Sequence, residues 1–265
     1  MLQVQKIDQS EQKTSLLLRE LKEEYGASGL KLSTEDAGMS FDQIAYWAQI
    51  ASPVLPVFVK IGGPEARNDM KKISALKDIS GVIAPMVESS YSLQKYISSL
   101  KEIFERFEDL SKHINIETIT AYENLSKIFS IPEISYIDEI TIGRGDLSLS
   151  VNKEVDDPEV DNMCKVIVEA AQRKNIKVSI GGAVNPKNAE RVFKQIKPDK
   201  INTRSVVFSR GCSLDIEQFV LKALEFEILM MREDLRLGFI SKNEATDRIE
   251  KLKKRMAITH SNSRQ

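Results

Sequence analysis

Short runs of apolar and β-branched residues alternate along the chain with longer stretches whose apolar residues recur at helical spacing. The runs are GLKLS (29–33), PVFVKIG (56–62), GVIAPMV (81–87), INIET (114–118), EITIG (139–143), KVSIGG (177–182) and INTRSVVF (201–208). MLQVQKI (1–7) is a weaker eighth. Most are nearly continuous apolar segments, the pattern of parallel strands covered on both faces. Between them, SLLLRELKEEY (15–25) places Leu17, Leu18 and Leu21 on one helical face. SYSLQKYISSLKEIFERF (90–107) repeats Leu93, Ile97, Leu100 and Phe104 at the same period. MCKVIVEAAQRK (163–174) does so less regularly. Successive runs end near residues 35, 61, 87, 117, 143, 181 and 206, about one βα unit apart. Seven or eight such units predict an α/β fold of the (β/α)8 TIM-barrel type over residues 1–212, rather than an open doubly wound sheet.

Beyond the last run the pattern changes to a C-terminal helical extension, residues 213–257. DIEQFVLKALEFEILMMREDLR (215–236) reads as one long amphipathic helix that Gly238 ends. Ser241 and Glu244 then have capping-box spacing before a second helix carrying Ala245, Ile249, Leu252 and Met256. A barrel already has eight covering helices, so the apolar stripe of this pair is expected to meet a neighbouring subunit and make a homo-oligomer. The competing expectation is that the pair folds back across its own barrel. The acidic stretch VNKEVDDPEVDN (151–162) reads as a solvated connector more than as an active-site loop.

Composition narrows the field. The chain has 265 residues, 42% of them hydrophobic, which suits one large barrel. Lys and Arg total 38 against 39 Asp and Glu, for a net charge of −1. That balance gives no electrostatic reason to expect a nucleic-acid or anionic-membrane partner. Cys164 and Cys212 have no metal-ligand spacing and suit small buried residues in a reducing cytoplasm. The N-terminus lacks the apolar core of a signal peptide, and no apolar run reaches the ~18 residues of a membrane span. A cytoplasmic protein is expected.

In a barrel of this type, chemistry sits just past the C-terminal ends of the strands. There the chain places Glu35, Asp36, Lys60, Glu88, Glu117 and Asp146, with glycines at 38, 62, 63, 143, 145, 181 and 182. Any one of these acids reads equally well as a helix cap. Several together, beside glycines that permit close backbone approach, mark a site. Gly181-Gly182 also falls where barrels bind phosphate, though a glycine pair alone is a weak signal. His113 begins its run, on the opposite barrel end, and His260 lies in the tail; neither is placed to act as a base.

TEDAG (34–38), VKIGG (59–63), IAPMVES (83–89), NIETITAYENLSKI (115–128) and ITIGRGDLSLSV (141–151) follow one another in an order and spacing that resembles the HpcH/HpaI aldolase and citrate lyase β-chain family. The resemblance covers roughly residues 15–210. It implies a metal-dependent barrel that makes or breaks a carbon–carbon bond beside a pyruvate or acetyl enolate. It also implies that Glu117 and Asp146 ligate Mg²⁺ or Mn²⁺, since two hard carboxylates leave positions free for substrate oxygens. Lys60 stands where the family has an arginine that grips the keto acid. Asp36-Ala37 stands where the aldolases have a histidine, closer to the citrate lyase branch. Lys60, Asp36 and Glu35 are therefore the expected catalytic residues. Lys60, Gly145, Asp146, Arg144 and Glu88 are expected to bind substrate, with Arg67 a second source of a guanidinium. The implied partner is a small keto acid or an acyl thioester. Two other readings remain open: a biosynthetic condensation on the same enolate, and a barrel without catalysis that binds a metabolite or partner.

Overall fold

The computed structural model describes residues 9–211 and 215–258. MLQVQKI, Cys212, His260 and the boundary at residues 212–213 lie outside the described residues. Eight strands close into a barrel in chain order: β1 (Ala27–Ser33), β2 (Val57–Lys60), β3 (Gly81–Ala84), β4 (Ser111–Ile116), β5 (Glu139–Gly143), β6 (Lys177–Gly181), β7 (Lys200–Asn202) and β8 (Val206–Ser209). The described helices are α1 (Gln9–Glu23), α2 (Phe41–Ala51), α3 (Arg67–Ser74), α4 (Ser90–Ile103), α5 (Ile119–Glu123), α6 (Leu125–Ser130), α7 (Arg144–Ser150), α8 (Pro158–Gln172), α9 (Pro186–Gln195), α10 (Ile216–Arg236) and α11 (Lys242–Met256).

The first seven strands run parallel, and each carries alternate residues to opposite sides. On β4, Ile114 and Ile116 join the apolar core, while Asn115 and, just past the strand, Glu117 face the cavity at the barrel mouth. The interior is unusually polar for a barrel, where branched apolar side chains normally fill the layers. Thr141 on β5 bonds Ser179 on β6 at 2.9 Å, and Ser179 accepts from Asn202 on β7 at 3.2 Å. Lower down, Lys200 and Glu139 pair at 2.6 Å. His113 lies at that end too, against Phe58, and burial pushes its imidazole down to about 4. It is remote from the mouth, as its position in the run implies.

The segment 201–208 departs from the expected single strand. It folds as β7 and β8, and β8 runs antiparallel to both β7 and β1. The barrel is therefore mixed, and the eight described strands close it. The turn between the two strands contains neither Gly nor Pro. It is held from outside: Glu227 on α10 accepts from Thr203 Oγ1 (2.6 Å), Arg204 N (2.8 Å) and Ser205 N (2.7 Å) through one carboxylate oxygen.

The C-terminal pair also differs from the first expectation, because it folds back on its own barrel. α10 packs between α9 and α1. Phe219, Val220, Leu224 and Ile228 are buried there, with Phe219 stacked on Phe208 of β8 at 4.2 Å. Trp47 Nε1 and Tyr46 Oη on α2 donate to Asp234 and Glu233 at 2.7 and 2.8 Å. Gly238, at a φ of 77° that favours glycine, turns the chain into α11, whose N-cap Ser241 accepts from Glu244 N. Leu252 is buried, and Met231, Ile249 and Met256 pack against the core. The stripe thus has its partner within the chain. The acidic connector after α7 is short and structured: Asp157 caps α8 and Asp156 pairs with Arg144 and Arg191. Cys164 is buried, its thiol pushed up to about 12, so it is a packing residue. Among the described residues no helix is long and apolar enough to cross a membrane.

Candidate active site

The C-terminal ends of the strands surround a cavity of about 330 Å³. Lys31, Asp36, Lys60, Asn115, Glu117, Thr141, Gly145, Asp146, Asn202, Arg204 and Arg255 supply its polar wall. Glu117 follows β4 and is almost fully buried. Its two oxygens accept separately, from Met86 N (3.0 Å) and from Asn115 Nδ2 (3.0 Å). Met86 holds a φ of 51°, a left-handed backbone that non-glycine residues rarely adopt, in order to present that N–H. Gly143 supplies the space: a Cβ there would lie 2.6 Å from Glu117 Oε2. Gly182 has a different task. A Cβ on it would lie 2.3 Å from Gly145 N, so the glycine lets the end of β6 press against the start of α7. This packing accounts for Gly182; Gly181 lines the cavity beside it.

Burial pushes the Glu117 carboxyl up, with the Met86 N–H and Lys60 opposing. Asp146 is also pushed up by burial, with Lys60 opposing and Glu35 and Asp36 adding to the rise. At the rim, Lys60 pairs with Glu35 at 2.6 Å and with Asp36 at 3.2 Å. Burial alone would raise the Asp36 carboxyl; Lys60, Ser33 and Arg204 outweigh it and hold the group at about 2. Lys60 in turn is pushed down by burial and up by Asp36 and Glu35, for a net rise. Asp36 is therefore ionised at neutral pH and Lys60 protonated. This cluster is an ion-paired clamp at the rim.

Of the residues expected from the sequence, the fold brings Lys60, Asp36, Glu117, Gly145 and Asp146 to one cavity, with Glu35 attached through Lys60. Arg144 is elsewhere. Its guanidinium is fully buried, donating to Val155 O at 2.7 Å and pairing with Asp156, so it ties α7 to the connector and does not reach the mouth. Glu88 accepts from Thr118 Oγ1 at 2.5 Å and steadies the N-cap of α5. It does not line the cavity. Arg67 pairs with Glu102 on the outer surface. The guanidiniums at the mouth come instead from residues the sequence did not mark. Arg204, in the β7–β8 turn, donates to Asp36 O at 3.1 Å, and Arg255 on α11 donates to Val184 O through Nε at 3.0 Å. Arg204 was hidden inside an apolar run, and Arg255 reaches the mouth only because α11 folds over it. Lys31 was likewise hidden within GLKLS.

The residues present fit a small hard cation. The Glu117 and Asp146 carboxylates face one cavity, and Gly143 lets the first of them sit against the end of β5. Mg²⁺ and Mn²⁺ accept such a sparse protein ligand set and complete it with water and substrate oxygens. Among the described residues no cluster of three or more Asp, Glu, His or Cys side chains offers a fully protein-made site.

No family model matches the sequence, and no curated protein matches it. Solved structures do match. A HpcH/HpaI aldolase/citrate lyase family protein from Burkholderia cenocepacia J2315 superposes with a TM-score of 0.58 at 14% identity, over 73% of this chain and 82% of its own. The fold is that of the HpcH/HpaI aldolases. A HpcH/HpaI aldolase from Desulfitobacterium hafniense DCB-2 gives 0.56 at 16% identity, over 69% of this chain and 79% of its own. Citrate synthase SbnG gives 0.56 at 15% identity, over 69% and 76%. The shared architecture agrees with the resemblance carried by the strand-end motifs.

Proposed function

We propose that this protein is a divalent-metal-dependent carbon–carbon lyase of the aldolase type, acting on a small 2-keto acid or acyl thioester through its enolate. The observation that carries the reading is the Glu117–Asp146 pair at one cavity, with Gly143 admitting the Glu117 carboxylate where a Cβ would exclude it. Mg²⁺ or Mn²⁺ held by these two carboxylates supplies Lewis acidity toward a keto oxygen and neutralises the enolate charge. Met86 N and Asn115 Nδ2 fix the Glu117 carboxylate in one orientation. Lys60, Arg204 and Arg255 give the cavity rim positive charge suited to a substrate carboxylate. Lys60 makes the weaker grip, since it is engaged with Glu35 and Asp36 and lacks a bidentate fork. The same enolate serves condensation, and a citrate synthase shares the fold.

Calorimetric titration with Mn²⁺ tests the reading. The wild-type chain is expected to bind one ion, and Asp146→Asn and Glu117→Gln to lose it together with metal-dependent release of pyruvate from a 4-hydroxy-2-keto acid. Unchanged Mn²⁺ affinity in Asp146→Asn sinks the proposal.

A further inference from the structure

Lys31 is the cavity ammonium for which the site described so far has no use. It stands on β1, which in the closed strand order is four places from β5 and so directly across the barrel. Glu117 and Asp146 follow β4 and β5, so Lys31 meets the cavity from the wall opposite the carboxylate pair. Among the described residues its Nζ has no ion-pair or hydrogen-bond partner, whereas Lys60 is held by two acids. Two buried acceptors line the same cavity. Asn115 must turn its Nδ2 toward Glu117, which leaves its Oδ1 without a donor, and Asn202 Oδ1 is also unpaired. Buried polar groups without partners are rare in folded proteins, and a cluster of them in one cavity marks a surface matched to a polar ligand.

We propose that Lys31 is the proton donor that converts the enolate into the released keto acid, from the face opposite Glu117 and Asp146. The inference rests on the enolate chemistry proposed above and assigns its acid, a role for which His113, at the opposite end of the barrel, is not placed. When the carbon–carbon bond breaks, its electron pair becomes the enolate double bond and the carbonyl pair moves to oxygen. The methylene carbon then takes a proton from Lys31 Nζ, the oxygen pair re-forms the carbonyl, and the neutral amine left behind regains its proton from water. In the condensing direction the amine removes the same proton.

The surroundings suit that cycle. Burial holds Lys31 below the ordinary amine range and Lys60 lowers it further, while Glu139, Asp36 and Glu117 oppose. An amine so placed gives up its proton more readily than an exposed lysine does.

The experiment follows exchange of pyruvate methyl protons in D2O by NMR, using the full chain with Mg²⁺, beside calorimetry with Mn²⁺. Lys31→Met and Lys31→Arg are expected to slow exchange on the order of 100-fold or more, the range that positioned acid–base groups supply. Both should keep wild-type Mn²⁺ affinity and melting temperature. Wild-type exchange in either metal-bound variant overturns the proposal and leaves the lyase reading standing. A covalent pyruvate adduct trapped on Lys31 by borohydride also overturns it, because Lys31 is then a nucleophile. A wild-type chain that binds no Mn²⁺ removes the lyase reading and this inference with it. One that binds Mn²⁺ yet exchanges no methyl protons overturns the role of Lys31.

Discussion

At the scale of single residues, the site depends on absent side chains as much as on present ones. Gly143 leaves the space that Glu117 occupies. Gly143→Ala drives a methyl group into that carboxylate, and overpacking of this kind costs about 1–3 kcal/mol. The expected outcome is a folded protein with a lower melting temperature and at least tenfold weaker Mn²⁺ binding, read by calorimetry. Asp234 gives a second residue-scale prediction. Burial pushes its carboxyl from 3.8 up to about 6, although Trp47 and Gln43 hold it down. A folded pKa above the unfolded one means that folding favours the protonated acid. That stabilisation is whole below about pH 4 and is lost as pH rises through about 6. Ionising Asp234 in the folded state therefore carries a penalty at neutral pH, at most ~3 kcal/mol for a shift of about two units. Asp234→Asn keeps an acceptor for Trp47 Nε1 and should raise the melting temperature at pH 7.5, with no gain at pH 4.

At the scale of elements, the decisive case is the strand pair β7 and β8. INTRSVVF has one apolar, β-branched character from end to end, and nothing local breaks it. The break is made by Glu227, which gathers three donors from the turn. Glu227→Ala strips three donors of their acceptor, of which Thr203 is buried, Ser205 half-buried and Arg204 exposed to water. A loss of about 1–3 kcal/mol in urea denaturation is expected, with a smaller loss for Glu227→Gln. A destabilisation below 1 kcal/mol, about one hydrogen bond, means that the turn holds itself. α7 shows the opposite case. GRGDLSLS reads as a helix start from the sequence alone, and Arg144 does begin a helix there, but its side chain turns inward to Asp156. Position along the chain placed the backbone correctly and the guanidinium wrongly.

At the scale of the whole molecule, α10 and α11 are parts of the barrel. α10 supplies a covering layer between α9 and α1, and α11 brings Arg255 and Arg248 to the mouth, where Arg248 donates to Ala37 O at 2.8 Å. Removing residues 215–265 exposes Trp47 and Phe208 and strands the Asp234 and Glu227 partners. The truncated chain is expected to lose its cooperative thermal transition. A truncated chain that melts as sharply as the full one shows instead that residues 9–211 fold alone. The stripe of Phe219, Val220, Leu224 and Ile228 on α10 is already buried within the chain.

The alternation of apolar runs with helical stretches determined the barrel by itself, because strand period and strand-to-strand spacing are local properties of the chain. The position of acids and glycines at the run ends likewise placed Glu117, Asp146, Lys60 and Asp36 at one mouth, since every parallel strand of such a barrel ends on the same side. Tertiary structure alone decided the rest. Arg144 and Glu88 left the site because their side chains found partners distant in sequence, Asp156 and Thr118. Lys31, Arg204 and Arg255 entered it because inward or outward direction depends on register, turn and the path of α11. The direction of β8 depended on a carboxylate from α10, and the fate of the C-terminal stripe on the apolar surface nearest to it. Such choices are made by contacts between segments far apart in the chain, for which no local pattern carries a signal.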